Sequence, residues 1–123
     1  MARLNKVCPE LPAADVGAAA SWYRDKLGFN IERLYPEAGF AIVSRDDIEI
    51  HFWTCKERRI AEHTSAYFNV DDVDALHATL CEANDGGRLS EVADRPWGMR
   101  EFYVWEPDGN LLKFGVSRST AGE

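Results

Sequence analysis

The stretch that decides the fold begins at residues 11–16, which read LPAADV and carry a short apolar segment into a helix start. The chain repeats this pattern as FNVDDV at residues 68–73. The first half then ends on the strand-like IEIHF of residues 48–52, and the second on the LKF of residues 112–114. The repeat predicts two similar units, and two such units facing each other would form a concave pocket.

The helices and strands of each unit are predicted from capping residues and apolar spacing. Asp15 is a good N-cap for the first helix, and Gly28 follows its last turn as a stop. Asp71 is predicted to cap the second helix, which Gly86-Gly87 ends. The predicted strands cover residues 7–11, 29–34, 39–43, 48–53, 66–70, 89–92, 101–105 and 111–116. The chain therefore reads as βαβββ twice, an α+β fold with helices on one side of a mostly antiparallel sheet.

The length of 123 residues predicts a single domain. One module is expected at about residues 4–54 and the other at about 64–117, joined by the charge-rich stretch 55–64. Each half alone is short for a stable core, so the two halves should share one or complete it with a partner chain. Residues 1–6 lack a secretory apolar segment, and no long apolar run is present, so we expect a cytoplasmic protein without membrane contact.

Charge and cysteine content exclude several classes of function. The formal net charge of −7 disfavours nucleic acid and favours a cationic ligand, although solubility alone is the simpler explanation. Cys8, Cys55 and Cys81 are an odd number of cysteines without CxxC spacing. This argues against a disulfide framework and against a structural zinc site. For Cys8, a buried small hydrophobic role is favoured over a nucleophile, because the sequence places no histidine beside it.

Several motifs resemble the vicinal oxygen chelate superfamily, which groups glyoxalases, bleomycin resistance proteins and extradiol dioxygenases. The motifs are WY at 22–23, LGF at 27–29, GFA at 39–41 and EPDGN at 106–110. PWG at 96–98, followed by REF at 100–102, is similar to the bleomycin resistance subgroup, with which residues 1–30 also align without a gap. The resemblance implies a cup-shaped sheet with helices outside, and a homodimer whose first strand is exchanged with Pro9 as the hinge.

Enzymes of this superfamily hold a divalent metal with four side chains, two from each half. By resemblance, the four positions here are Cys8, Glu49, Ser65 and Lys113. Only Glu49 is an ordinary ligand for such a metal, and Lys113 brings a positive charge to the place of the cation. We therefore predict no metal at this place, no cofactor and no catalytic residue. Glu49 and Lys113 are instead expected to face each other, where they could form an ion pair.

The resemblance also implies a wall of aromatic side chains that stacks on the flat bithiazole of the drug. Trp97 and Phe40 are the leading candidates, because Trp97 lies in a Pro-Gly loop where a core role is hard to supply. Core packing remains an alternative for Phe40, and core and pocket are equally open for Trp53. Glu101 and Glu37 are the nearest carboxylates for the drug's cationic tail, followed by Asp46 and Asp47, although each alone reads more simply as a solvated surface charge. The full predicted ligand-binding set is Trp97, Phe40, Tyr35, Trp53, Tyr103, Glu101, His51, Glu49 and Lys113. His51 also reads as an ordinary half-buried residue.

The predicted function is non-catalytic binding of bleomycin-type antibiotics, in two crevices at the interface of a homodimer. Two alternatives stay open. One is a metal-dependent enzyme of the glyoxalase, epimerase or dioxygenase type, which the ligand set disfavours. The other is a binding protein for a different planar or cationic molecule, which the sequence separates poorly from the first, because one fold supports many functions.

Overall fold

A computed structural model describes residues 1–84 and 88–118 as two sheets, each with a helix packed on one face. The first unit consists of β1 (Glu10–Ala13), α1 (Val16–Leu27), β2 (Asn30–Tyr35), β3 (Phe40–Arg45) and β4 (Ile48–Thr54), with a 3₁₀ turn at Pro36–Ala38. A short helix, α2 (Arg58–Ala61), leads to the second unit. That unit consists of β5 (Ser65–Asn69), α3 (Val73–Ala83), β6 (Arg88–Leu89), β7 (Ala93–Asp94), β8 (Met99–Trp105) and β9 (Leu111–Ser117).

The two sheets have the same topology, which confirms the internal repeat and the α+β class. The strand order is β1-β4-β3-β2 in the first sheet and β5-β9-β8-β6 in the second. In both, the strand before the helix pairs in parallel with the last strand of the unit. The single strand predicted at 89–92 is wrong, because two-residue strands β6 and β7 pair separately with β8.

Side-chain capping fixes where the two long helices begin. The Asp15 carboxylate accepts from the amide of Ala18 at 3.0 Å, and Gly28 ends α1 at a φ of 75°, as predicted. For α3 the predicted cap was one residue early, since the side chain of Asp72 accepts from the amide of Ala75 at 3.1 Å. The predicted end of this helix at Gly86-Gly87 lies outside the described residues; the described helix ends at Ala83.

The first strand begins three residues later than predicted. Regular pairing starts at Glu10, opposite His51, because Pro9 has no amide hydrogen to contribute to a ladder. The Pro9 carbonyl still accepts from the His51 amide at 3.0 Å. Residues 1–9, here called the N-terminal arm, precede the strand, and Leu4 and Val7 on it are almost fully exposed.

The buried apolar residues of both units form one cluster, so the two halves share a core. In the first unit Tyr23 packs edge-on against Phe29 and Phe52, and in the second Phe114 stacks between Phe68 and Phe102. Because side chains alternate along a strand, burying one face of each sheet leaves the other available to a ligand. Among the described residues, no helix combines the length and apolar character needed to cross a membrane.

Candidate functional site

The open face of the first sheet carries a row of three aromatic side chains, here called the aromatic row. Tyr35 of β2 lies opposite Phe40 of β3, and Phe40 lies opposite Trp53 of β4. Tyr35 is 51% exposed and Trp53 42% exposed, while Phe40 is half-buried. The side chains of such neighbours lie within contact range on one surface of a sheet. The row therefore supplies a flat apolar surface at the end of the sheet where β3 begins.

The second sheet carries a different arrangement, centred on the buried carboxylate of Glu101, which is only 2% exposed. The hydroxyl of Tyr67 donates to one oxygen at 2.6 Å and that of Tyr103 to the other at 2.8 Å. The indole N–H of Trp97 also donates to Glu101, at 3.4 Å, and Arg95 Nε lies 3.8 Å from it. These five residues are here called the Glu101 cluster. The carboxylate holds three aromatic rings in place.

The charges in this cluster reinforce one another. Burial opposes ionisation of Glu101, but the hydrogen bonds from Tyr67, Tyr103 and Trp97, with the positive charge of Arg95, lower its pKa overall. Burial and the bond to Glu101 raise the pKa of Tyr67, which stays a hydroxyl donor. The Arg95 guanidinium lies 5.0 Å from the Tyr103 ring centre, and the Lys113 ammonium lies 5.8 Å from it. The open face thus combines aromatic surface with two cations.

The structure shows where the predicted ligand-binding residues of the second sheet lie. Trp97 is 63% exposed on its loop, and it remains the leading candidate for stacking. Glu101, predicted to meet a cationic group of the ligand, instead has both oxygens occupied and lies beneath the surface. Tyr67 and Arg95 were missed by the sequence analysis. The signal for Tyr67 was its register with Lys113 across a parallel strand pair, which places both on the face that also carries Tyr103.

The four positions that correspond to the superfamily's metal ligands do not fit a metal. Ser65 is exposed on β5, and Lys113 presents an ammonium group beside Tyr103. Glu49 is 3.0 Å from Lys6 Nζ and 2.7 Å from His51 Nε2, and hydrogen bonds from these two groups, His51 first, lower its pKa to about 2. The expected Glu49–Lys113 ion pair is wrong within the described chain, because the two residues lie on different sheets and have other partners.

The N-terminal arm adds a thiol to the Glu49–His51 pair. Cys8 Sγ lies 3.8 Å from Glu49 Oε1, and the ligating atoms of Cys8, Glu49 and His51 all lie within 4.8 Å of one another. The sequence analysis saw no histidine beside Cys8, and that expectation was wrong. The parallel register that sets Glu10 opposite His51 brings Cys8, two residues earlier, toward Glu49 on the same face.

The aromatic row and the Glu101 cluster do not meet within one chain. Across residues 1–84 and 88–118, no hydrogen bond, ion pair or ring contact joins a member of one to a member of the other. A cleft of about 570 Å³ lies on the helix side, where Leu27, Phe68 and Phe114 line it with Asp46 and Asp47 at its edge. It contains none of the predicted ligand-binding residues.

Gly115 is expected to be intolerant of even a methyl group, because a Cβ there would overlap the hydroxyl of Tyr67. Gly115→Ala should displace Tyr67 from Glu101 and lower the free energy of unfolding by about 2 kcal/mol. Urea denaturation measures this. In a Tyr67→Phe background the same substitution should cost less, since the overlapping hydroxyl is gone. An equal cost in both backgrounds would show that the Tyr67 hydroxyl is not the obstacle.

The duplicated fold, with an open face on each sheet that carries aromatic and charged side chains, is that of a protein built from paired modules. The chain belongs to the Glyoxalase/Bleomycin resistance protein/Dioxygenase superfamily, whose family model matches residues 3–114. A bleomycin resistance protein from Geobacillus stearothermophilus is 28% identical over 123 residues, covering 86% of this chain and 92% of that protein.

Solved structures agree with this assignment. The bleomycin-binding protein of bleomycin-producing Streptomyces verticillus, in complex with copper(II)-bleomycin, is 35% identical, with a TM-score of 0.82 over 93% of this chain and 97% of that one. A bleomycin resistance determinant encoded on the transposon Tn5 shares the fold at 24% identity, with a TM-score of 0.78 over 93% of this chain and 98% of that one. The homologues of this chain are thus antibiotic-binding and resistance proteins.

Proposed function

We propose that this protein binds bleomycin-type glycopeptide antibiotics and confers resistance by sequestering them in the cytoplasm, without breaking a bond. The observation that carries the proposal is its similarity, over nearly the whole chain, to the Streptomyces verticillus bleomycin-binding protein. Two open faces rich in aromatic side chains fit the same role. The superfamily's metal positions support binding over catalysis, because they contain a serine and a lysine.

Binding would require a homodimer. The aromatic row and the Glu101 cluster lie on separate sheets, so a crevice lined by both would take one face from each of two chains. The N-terminal arm favours such an assembly, because it leaves Leu4 and Val7 exposed on a single chain and Pro9 marks where it leaves the sheet. Exchange of the arm between chains would bury these residues.

Within each crevice the ligand contacts would divide by chemistry. The flat aromatic part of the antibiotic would stack on Trp97, Tyr35, Phe40 and Trp53. The cationic groups of Arg95 and Lys113 would lie against the ring of Tyr103. Glu49 and His51 would line the first-sheet side. The net charge of −7 would favour a cationic ligand at longer range. Glu101 would act from below, by holding Trp97 and Tyr103 in position.

Isothermal titration with bleomycin tests the proposal. The protein should bind at micromolar concentration or tighter, with one drug molecule per chain. Trp97→Ala should weaken binding about tenfold, the usual scale for losing one stacked ring. Trp22→Phe is the matched control, because Trp22 packs on α1 against Tyr23 and should leave affinity unchanged.

Three results would contradict the proposal. Absence of heat and of tryptophan quenching at micromolar bleomycin would exclude a role in sequestration. Binding of a different planar cation, with bleomycin inactive, would assign the same faces to another ligand. Sedimentation of the protein as a monomer at these concentrations would remove the shared crevice on which the proposal depends.

A further inference from the structure

The N-terminal arm and β4 bring together a thiol, a carboxylate and an imidazole on the open face of the first sheet. The Oε1 atom of Glu49 is 2.7 Å from His51 Nε2 and 3.8 Å from Cys8 Sγ. Ligand atoms bound tetrahedrally to one zinc-sized ion, at about 2.0 Å for nitrogen or oxygen and 2.3 Å for sulfur, stand about 3.3–3.5 Å apart, so the hydrogen-bonded Glu49–His51 pair would open by about 0.6 Å to admit an ion. The three side chains already converge on one point, with little rearrangement needed to bind an ion.

We propose that Cys8, Glu49 and His51 form a binding site for one thiophilic divalent cation, of the class of Zn²⁺ or Co²⁺. The site shares Cys8 and Glu49 with the superfamily's four positions, but its third ligand is His51, which is not one of them. It needs neither Ser65 nor Lys113 from the second sheet. Binding of the ion does not require the antibiotic, although Glu49 and His51 also line the proposed crevice.

The donor set determines the class of metal. A sulfur, a nitrogen and an oxygen donor suit borderline ions, whereas Mg²⁺ and Ca²⁺ prefer oxygen alone. On binding, the Cys8 thiol would release its proton to solvent, so a thiolate and a carboxylate would balance the two positive charges of the ion. Glu49 and His51 are about a quarter exposed, and three protein ligands leave a fourth position for water or an outside donor.

Lys6 sets how tightly the site can bind. Its ammonium group lies 3.0 Å from Glu49 Oε2, on the oxygen that does not face His51. A lysine here stabilises the empty site and opposes an incoming cation, because it occupies one carboxylate oxygen and repels positive charge. Removing it should therefore strengthen metal binding, an effect that a purely structural cluster would not show.

The test is anaerobic titration of reduced, antibiotic-free protein with Co²⁺, followed by absorbance. One equivalent should produce a thiolate-to-cobalt charge-transfer band that Zn²⁺ abolishes by displacement. Cys8→Ser should abolish the band, and His51→Ala should weaken Co²⁺ binding at least about tenfold. Lys6→Met should tighten it severalfold. Circular dichroism of each metal-free variant checks that the fold is retained.

A second cysteine and histidine provide the matched control. Cys81 Sγ lies 3.6 Å from His77 Nε2 on the surface of α3, far along the chain from the proposed site. Cys81→Ser and Cys55→Ser should keep the full band. A band that disappears in Cys81→Ser and survives in Cys8→Ser would overturn the proposal, as would titration without any charge-transfer band. An unchanged or weaker affinity of Lys6→Met for Co²⁺ would also contradict the proposal.

Discussion

Replacing Glu101 with glutamine is expected to weaken bleomycin binding about tenfold and to lower the free energy of unfolding by about 2 kcal/mol. The reason is that Tyr67, Tyr103 and Trp97 all donate to this carboxylate, and the fourth neighbour is the Arg95 cation at 3.8 Å. Whichever oxygen becomes an amide nitrogen, it faces either Arg95 or the indole N–H of Trp97, and neither can accept a hydrogen bond. The stability loss follows because the new amide nitrogen is a buried donor that faces another donor.

The two effects of Glu101→Gln arise from different parts of the cluster, and single-ring variants separate them. Tyr67→Phe removes one donor to Glu101 but leaves the indole N–H of Trp97 its acceptor, so it should cost stability with little effect on binding. Trp97→Ala should do the reverse, because Trp97 is exposed and contributes little to the core. Urea denaturation and bleomycin titration of all three variants provide the comparison. If Glu101→Gln binds bleomycin as tightly as the unmodified protein, then the Trp97 indole does not need the carboxylate to hold its position.

Acid should remove the same interaction in the unmodified protein. The folded state holds the pKa of Glu101 below its ordinary value of 4.5. A lowered carboxyl pKa contributes stability that is present above that ordinary value and is lost as pH falls through the folded one. The stability gap between the protein and Glu101→Gln should therefore be largest near neutral pH and shrink in acid.

Much of the fold was predictable, because its signals are local. Asp15 before an apolar helical stripe, Gly28 after it and the Pro107–Asn110 turn each act through neighbours in sequence. The repeat extended those signals to topology, since two stretches with the same pattern fold into sheets with the same strand order. Errors fell at element ends, where one aspartate rather than its neighbour caps α3 and where Pro9 delays the start of β1.

The site was less predictable, because its geometry depends on which strands pair. Alternation along β4 places Glu49, His51 and Trp53 on one face, but sequence does not say which face the helix covers. The burial of Glu101 depends on Tyr67, which reaches it from β5 across the intervening strand β9. The contact of Cys8 with Glu49 likewise spans the whole first unit. Such contacts follow from parallel register, for which the chain carries no local signal.

Replacing Glu106 with alanine is expected to be the most destabilising single change, with a loss of about 4 kcal/mol. This carboxylate is 2% exposed and joins the two units at the β8–β9 turn. It accepts from the hydroxyl of Tyr23 on α1, and from the amides of Asp108 and Asn110, each at 3.0 Å. Alanine would leave a cavity and three donors without an acceptor, two of them buried, and each buried donor costs about 1–3 kcal/mol before relaxation.

Glutamine at 106 separates hydrogen bonding from charge. One amide oxygen can still accept from the two backbone amides, and the Tyr23 hydroxyl can turn to accept from the side-chain nitrogen, so the loss should be only about 1 kcal/mol.

Burial raises the pKa of Glu106, with its hydrogen bonds acting in the opposite direction. A raised carboxyl pKa contributes stability that is fully present below the unfolded value and is lost as pH rises through the folded one. The deficit of Glu106→Gln, measured by urea denaturation, should therefore shrink as pH rises above the ordinary carboxyl value of 4.5, opposite to that of Glu101→Gln. A parallel trend in the two variants would mean that burial does not dominate at Glu106.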